Sequence, residues 1–413
     1  IPKEIFFFLA LLFLVFTIPR SFMYLKLPFL VVVVLISFFK ILTSKARIYD
    51  KFTVFYYFSI ILGAVTWSYI GLINGVNEQA LIDVFRLFVL YIFIYFLMTM
   101  TLSSVNNLDQ CKIDFFMYVV GMVLSIMILA FTINTFFHLE LIPEYIASNL
   151  LARVGVHDGY IQIISHNVGM LGFFGVFALS KLILSSGRKS VLMIISSLLV
   201  LIAIVVSGRR AIMLVVPLTP FLVMLILSFS GELLHRKIKS LFGFLVKASL
   251  ALLLILLSFY IFSYEQLVLF FERFFDALNE GVDSPRSSQY RALLAGFKDN
   301  WVFRSGFGGE LDLVRNMERP WVFELSYIQL LFNIGLFGAI YFVILNVLYI
   351  IHASKIISSV NDNSTYYSLM AGAIGMLLIS VTNPYVSSSF DFLVILSVIP
   401  FVINHIKHNK YKC

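Results

Sequence analysis

Apolar residues run through this chain in blocks of fifteen or more, not in the face-by-face alternation of a half-buried strand. Leu192–Val206, Leu245–Phe262 and Phe323–Ile351 hold almost no charge. Uninterrupted runs near membrane length read as spanning helices, because only hydrogen-bond-closed backbones survive in hydrocarbon and barrel strands would alternate. The pattern predicts spans at 4–19, 27–43, 52–73, 84–102, 114–137, 161–184, 190–206, 211–229, 244–263, 323–351, 365–382 and 389–405. The first two are short enough to form a re-entrant pair, and the tenth is long enough to project beyond the membrane surface. Ile5–Ile18 has the polarity of a signal-peptide core, but no small-residue cleavage site follows, so it counts as the first span. The expected fold class is all-α: one polytopic membrane helix bundle of about 12 transmembrane helices over 1–413, with a large helical loop at 264–322.

Composition agrees. The 413 residues are 61% hydrophobic and 13% charged, against about 45–50% and about 25% in a soluble domain. Such a chain has too little charge to cover itself in water. Its net charge of +8 is not a nucleic-acid signal here, since in a membrane protein the placement of Lys and Arg matters more than their sum. Lys45/Arg47/Lys51, Arg188/Lys189, Arg236/Lys237/Lys239, Lys355 and Lys407/Lys410/Lys412 all fall on one side of the predicted layout. By the positive-inside bias that side is the cytoplasm, and both termini face it. Heavy use of Phe, Ile, Tyr and Asn fits an AT-rich bacterial gene. Cys111 and Cys413 lie in cytoplasmic links, which argues against a disulfide framework.

The opposite side has its own bias. Its links carry Arg20, Arg153, Arg209, Arg210, Arg273, Arg286, Arg291, Arg304, Arg315 and Arg319, but only Lys26 and Lys298. Arginine outside the cytoplasm opposes the sorting rule, and its planar fork grips phosphate bidentately without losing charge. The plain alternative is pairing with acids of the same loop, such as Glu280, Asp283, Glu310 and Glu318. For the set, an anionic ligand is the expectation.

Three segments could carry chemistry. Ser207-Gly208-Arg209-Arg210-Ala211 is a hairpin whose Gly208 permits a tight turn, with two cations before a helix N-terminus; snorkelling to lipid head groups is the alternative. In 264–322, Pro285 opens a helix bearing Arg286, Tyr290 and Arg291, followed by Gly306-Phe307-Gly308-Gly309, which suits a flexible turn or close backbone approach to a ligand. Glu324 then sits at the mouth of a span whose Gly335 and Gly338 suit close helix packing. His166 begins the sixth span near Arg153, His157 and Asp158, which do not make a persuasive metal set, and Asp83 and Arg86 are spaced to neutralise each other.

In order and spacing, these segments resemble the O-antigen polymerase and O-antigen ligase superfamily. That family shows a Ser-Arg-x-Ala-type hairpin, then a large periplasmic loop opening with Arg and an aromatic-x-x-Ala helix. Gly-x-Gly follows, and then a span with Asn/Ser-Tyr-Leu-x-Leu-Leu-x-x-x-Gly-x-x-Gly. The matching residues are Arg210 and Ala211; Arg286, Tyr290 and Ala295; Gly306 and Gly308; and Ser326-Tyr327-Ile328-Gln329-Leu330-Leu331 with Gly335 and Gly338. The resemblance covers roughly 200–345 directly. Ligases carry His-Asn where this chain has Glu324-Leu325, so the polymerase branch is the nearer one.

The resemblance implies polymerisation of undecaprenyl-pyrophosphate-linked O-antigen repeat units by glycosyl transfer, for lipopolysaccharide biosynthesis, on the periplasmic face of the bacterial inner membrane. The enzyme would be a metal-independent glycosyltransferase without cofactors or nucleic acid, with the lipid-linked oligosaccharide and membrane lipids as its partners and a chain-length regulator protein as a further candidate. Arg210, Arg286 and Glu324 are the expected catalytic residues, Glu324 as base or as a holder of an arginine. Arg209, Arg291, Arg153, Arg304, Tyr290 and His166 would bind pyrophosphate or sugar. A lipid-linked oligosaccharide flippase is the main alternative and an O-antigen ligase the second.

Overall fold

The computed structural model describes residues 3–43, 45–105, 108–137, 139, 142–157, 160–185, 190–231, 285–299, 306–311, 319–385 and 389–410. Seven helices among them are long and apolar enough to cross a membrane: α2 (Met23–Leu42), α3 (Lys51–Ile73), α4 (Glu78–Ser103), α5 (Gln110–Phe137), α9 (Arg210–Ser230), α11 (Ser326–Ser358) and α13 (Phe390–Lys410). Four shorter apolar helices pack among them: α1 (Lys3–Thr17), α7 (Leu171–Leu184), α8 (Val191–Ser207) and α12 (Ser364–Ile379). A short α6 (Glu144–Asn149) and the amphipathic α10 (Pro285–Asp299) lie in the links. The described architecture is an all-α membrane bundle. The predicted ninth span, 244–263, lies outside the described residues.

Local chemistry sets the helix ends. Asp50 caps α3 by accepting from the Thr53 amide at 2.7 Å, and Ser190 caps α8 by accepting from the Met193 amide at 3.2 Å. Gly208 and Gly231 stop α8 and α9 in left-handed conformations, which fulfils the tight-turn expectation at Gly208.

Hydrogen bonds between links sort the molecule into two ends. At the lysine-rich end, Asp50 accepts from Lys407 at 2.5 Å and pairs with His352 at 3.0 Å. Asn404 ties in the Arg47 carbonyl, and Lys181 pairs with Asp114. Burial raises the Asp50 carboxyl pKa, but bonds from His352, Lys407 and Thr53 outweigh it and hold the group well below the usual carboxylate range. The arginine-rich end gathers the α1–α2 turn, the link after α5, the α8–α9 turn and the segments around α11 and α13. The two sets of links are those that the charge pattern separates.

Two expectations change, and one detail is added. The sixth span does not begin at 161, because Tyr160–Ile164 is strand β2, paired antiparallel with β1 (Arg153–His157). The β-branched run Ile161–Ile164 folds back as a hairpin edge, and the helix starts only after the 3-10 turn Val168–Met170. The turn Arg86–Tyr91 within α4 is π-helical. Gly335 does more than sit in a straight helix: at φ 69°, ψ 179° it breaks α11 in a conformation that essentially only glycine adopts. Gly338 does allow close approach, since a Cβ there would meet Trp67 Cζ2 at 2.6 Å.

α7 packs closely on α12, where glycines let each helix receive the other's side chains. A Cβ on Gly375 would stand 2.6 Å from Val176 Cγ2, and one on Gly372 3.0 Å from the Phe173 ring and carbonyl. Gly375→Val should therefore lower stability by about 1–3 kcal/mol, read as a fall in the unfolding temperature of the detergent-solubilised protein. An unchanged transition would disprove the tight contact.

Candidate functional site

At the arginine-rich end, residues 319–326 run as a strap into α11, and α10 docks on it. The docking core is Leu293 against Phe323 and Phe332. One helical face, at positions 286, 289 and 293, therefore looks into the strap. Arg286 Nε stands 3.1 Å from Glu324 Oε2, and the buried Gln289 Oε1 accepts from the Glu324 amide at 3.1 Å. Gln329 Nε2 donates to the Trp321 carbonyl at 2.7 Å and closes the strap onto α11. Each of these bonds fixes the position of Glu324 at the helix mouth.

A second cluster surrounds the α1–α2 turn. Arg20 and Phe22 hold left-handed φ values of 62° and 52°, costly for non-glycine residues. The turn is secured by Asp391, which accepts from the Arg20 backbone amide at 2.7 Å and from Lys26 Nζ at 2.6 Å. Lys26 and Asp391 are both buried. Ser21 Oγ reaches the Asn149 carbonyl at 2.8 Å and His166 Nδ1 at 2.9 Å. Burial, Arg20 and Lys26 together push the His166 pKa down to about 4, so it is neutral at pH 7. Arg20 keeps contact with solvent, yet burial and then the like charge of Arg319 lower its pKa from the ordinary guanidinium value. Arg319 lies 3.9 Å from Asp83, whose nearer partner is Arg86 at 2.8 Å.

An apolar cavity of about 900 Å³, open mouth included, lies within the bundle and reaches this end. Trp67 of α3, Phe88 of α4, Tyr327 and Ile334 of α11 and Leu396 of α13 are among its walls. Phe307 closes its top: the Phe307 amide donates to the Trp67 carbonyl at 3.0 Å, and its ring stacks on Phe88. Gly306 and Gly308, at φ 90° and 93°, press this loop onto α3 and α4, so their close approach is to the protein's own backbone and side chains. Phe88 projects from the π-helical turn that begins at Arg86, which puts a guanidinium and a cavity wall within one turn. The arrangement is amphiphilic, with cations above a hydrocarbon-lined space.

The expected site residues divide. Arg286 and Glu324 are brought together. Arg209 donates to the Ile163 carbonyl at 3.1 Å and pins the β-hairpin to the start of α9, and Arg210 stands half-exposed beside it. His166 joins the α1–α2 cluster rather than the Arg286 pair. Tyr290 and Arg291 are exposed; Tyr290 stands one turn beyond Arg286, near the same face, and Arg291 turns further away. Arg153 is exposed on β1, and Arg304 lies outside the described residues. Asp83 and Arg86 pair as their spacing predicts. Among the described residues no group of three or more His, Cys, Asp or Glu could hold a metal ion.

Asp391, Gln289 and Phe307 escaped the sequence reading, and Arg20, Lys26 and Arg319 entered it only as members of an asymmetry. The signal for Asp391 was available: a lone acid at the start of an apolar span needs a buried partner. The chain matches no family model and no curated protein.

The Lys26–Asp391 pair makes a sharp prediction. Asp391→Asn leaves a buried ammonium uncompensated and should cost about 3–5 kcal/mol. Lys26→Met combined with Asp391→Leu should recover much of that loss, in unfolding measurements of the detergent-solubilised protein. Equal stability of the single and double variants would show that the two charges are not coupled.

Proposed function

We propose that the chain is a glycosyltransferase of the O-antigen polymerase type, acting on undecaprenyl-pyrophosphate-linked oligosaccharide at its arginine-rich end. The observation that carries this reading is the Arg286–Glu324 pair at the arginine-bearing end, beside an apolar cavity. An amphiphile with a diphosphate head and a long isoprenoid tail fits both halves. On this reading the arginine-rich end faces the periplasm of a bacterial inner membrane, the lysine-rich end and both termini face the cytoplasm, and the full chain crosses about twelve times. The lysine-rich links support that orientation.

The reaction joins two lipid-linked glycans. A hydroxyl of the acceptor sugar attacks the anomeric carbon of the donor glycan, the C–O bond to the pyrophosphate breaks, and undecaprenyl pyrophosphate leaves with the electron pair. Negative charge grows on the leaving group, and fixed guanidinium groups facing it lower the barrier. Arg286 and Arg210 take that role, with Arg209 holding the hairpin beside them. The 3.1 Å ion pair supports Glu324 as the group that positions Arg286. The alternative is that Glu324 receives the proton of the attacking hydroxyl as general base.

One observation favours a second reading. The break of α11 at Gly335 gives a discontinuous helix beside the cavity, a feature of transporters that bind substrate at such breaks. On that reading the chain is a flippase for the same lipid-linked oligosaccharide.

Purified protein in vesicles with lipid-linked repeat units separates the two. Longer glycans on the lipid support the polymerase, and movement across the vesicle without new glycosidic bonds supports the flippase. Arg286→Ala and Arg210→Ala should each lower polymer formation about a hundredfold or more. Arg286→Lys should also fail, because a point charge cannot replace a planar fork. Glu324→Gln keeps an oxygen for Arg286, so it retains activity if the acid positions and loses it if the acid is the base. Normal polymer from both alanine variants would remove the arginine mechanism.

A further inference from the structure

A second cavity, of about 710 Å³ with its open mouth included, lies between α5, α6 and the base of the β-hairpin. Ile126 and Phe131 of α5 form one wall, Ile146 and Ala147 of α6 another, and Ile163 of β2 with Asn167 just beyond it a third. None of these residues lines the cavity walled by Trp67 and Phe88. The wall at 126–131 stands about 9–16 Å along α5 from its end at Phe137, at 1.5 Å per residue. In a bilayer that depth falls in the outer half of a hydrocarbon core about 30 Å thick. Ile126 lines the cavity and is still 48% exposed, so the space opens through the side of the bundle, toward acyl chains.

The walls are hydrocarbon except at one place. Asn167 is only 2% exposed, and its Oδ1 accepts from Ser165 Oγ at 2.6 Å. Among the described residues its Nδ2 donates no hydrogen bond, yet that atom keeps accessible surface, as an atom bordering a cavity does. The surroundings hold the side chain in place. The His166 amide donates to the Leu150 carbonyl at 3.0 Å, and the His166 ring is engaged by Ser21. A buried amide donor without an acceptor costs free energy until one arrives. Water fills such a space poorly, because a cavity water needs about three polar partners. An alkyl chain suits the walls, and a neutral carbonyl suits a neutral amide. A diphosphate would call for cations where Asn167 stands.

We infer that this cavity binds an acyl chain of a bilayer glycerolipid, whose ester carbonyl accepts from Asn167 Nδ2. The site is independent of the proposed reaction and holds no reacting group. Its occupant packs α5 against α6 and braces β2, and Arg209 links β2 to the start of α9 through the Ile163 carbonyl. The lipid therefore supports the hairpin that Arg209 grips.

The test uses the full-length protein in nanodiscs of phosphatidylethanolamine and phosphatidylglycerol, doped with a phosphatidylglycerol whose ester-linked chain carries a diazirine. On illumination the label should concentrate at 126–131 and 142–150 over the exposed faces of α2 and α11. Asn167→Leu removes the donor and Ala147→Phe fills the space, and each should lower that labelling about tenfold. Ile340→Phe, on the exposed face of α11, should leave it unchanged. An ether-linked probe lacks the carbonyl, so it should label the unaltered protein less than the ester probe and label Asn167→Leu equally. Four results would overturn the inference. They are even labelling along all exposed helix faces, unchanged labelling in both cavity variants with unfolding temperatures intact, equal labelling of the unaltered protein by the two probes, and displacement of the label by equimolar farnesyl diphosphate. The last would give the cavity to an isoprenoid ligand. No sugar substrate is present, so failure of the polymerase reading leaves this measurement standing.

Discussion

A carboxylate and an ammonium removed from water cost several kcal/mol each, and they persist inside a bundle only when they meet at hydrogen-bond distance with their other valences filled. Asp391 and Lys26 satisfy that condition at 2.6 Å, and the arginine-rich end is organised around them. Lys26 also donates to the Ile18 carbonyl, an orphaned acceptor at the end of α1, and Asp391 takes the Arg20 amide. One ion pair thus joins the end of α1, the turn, the start of α2 and the start of α13. It also consumes the carboxylate that would otherwise neutralise Arg20.

The other half of the mouth is built without buried charge. The strap 319–326 is held by aromatic packing and by hydrogen bonds with the side-chain amides of Gln289 and Gln329, and its closer ion pair, Arg286–Glu324, remains partly open to solvent. A half-exposed pair adds little stability, so its value lies in orientation. The break at Gly335 complements this: it allows the first turns of α11, which carry the strap, to take a direction that the rest of the helix does not share. Stability is concentrated in the glycine-packed α7–α12 contact and in the Lys26–Asp391 pair, and the strap is left to set geometry.

Much of the bundle was legible because hydrocarbon allows so few backbone solutions. A run such as Lys51–Ile73 has one stable form in lipid, and the Asp50 cap and the Gly208 stop are local decisions that the residues make themselves. Ile161–Ile164 misled because a β-branched apolar run is the same word in a span and in a hairpin, and only its partner strand decides. The candidate site was legible in kind but not in grouping. Arg286 and Glu324 lie 38 residues apart and meet, while Arg291, on the same helix as Arg286 but off its face, is exposed. Arg20 and Asp391, 371 residues apart, had no sequence signal linking them.

The asymmetry between lysine and arginine follows from the same accounting of partners. At the lysine-rich end, Asp50 collects Lys407 and His352, and Asp114 collects Lys181, so those point charges end in compact pairs with single acids. At the opposite end Asp391 is engaged by Lys26 and Asp83 by Arg86, and Arg20 and Arg319 remain in contact with solvent. A lysine in that position would stay strongly hydrated and gain little from a neighbour. Arginine is more weakly hydrated and presents a flat array of donors, so it holds its charge ready for an anion that brings planar oxygens of its own. Water at the mouth screens these exposed charges, whereas a group drawn over the dry cavity would meet them with less screening.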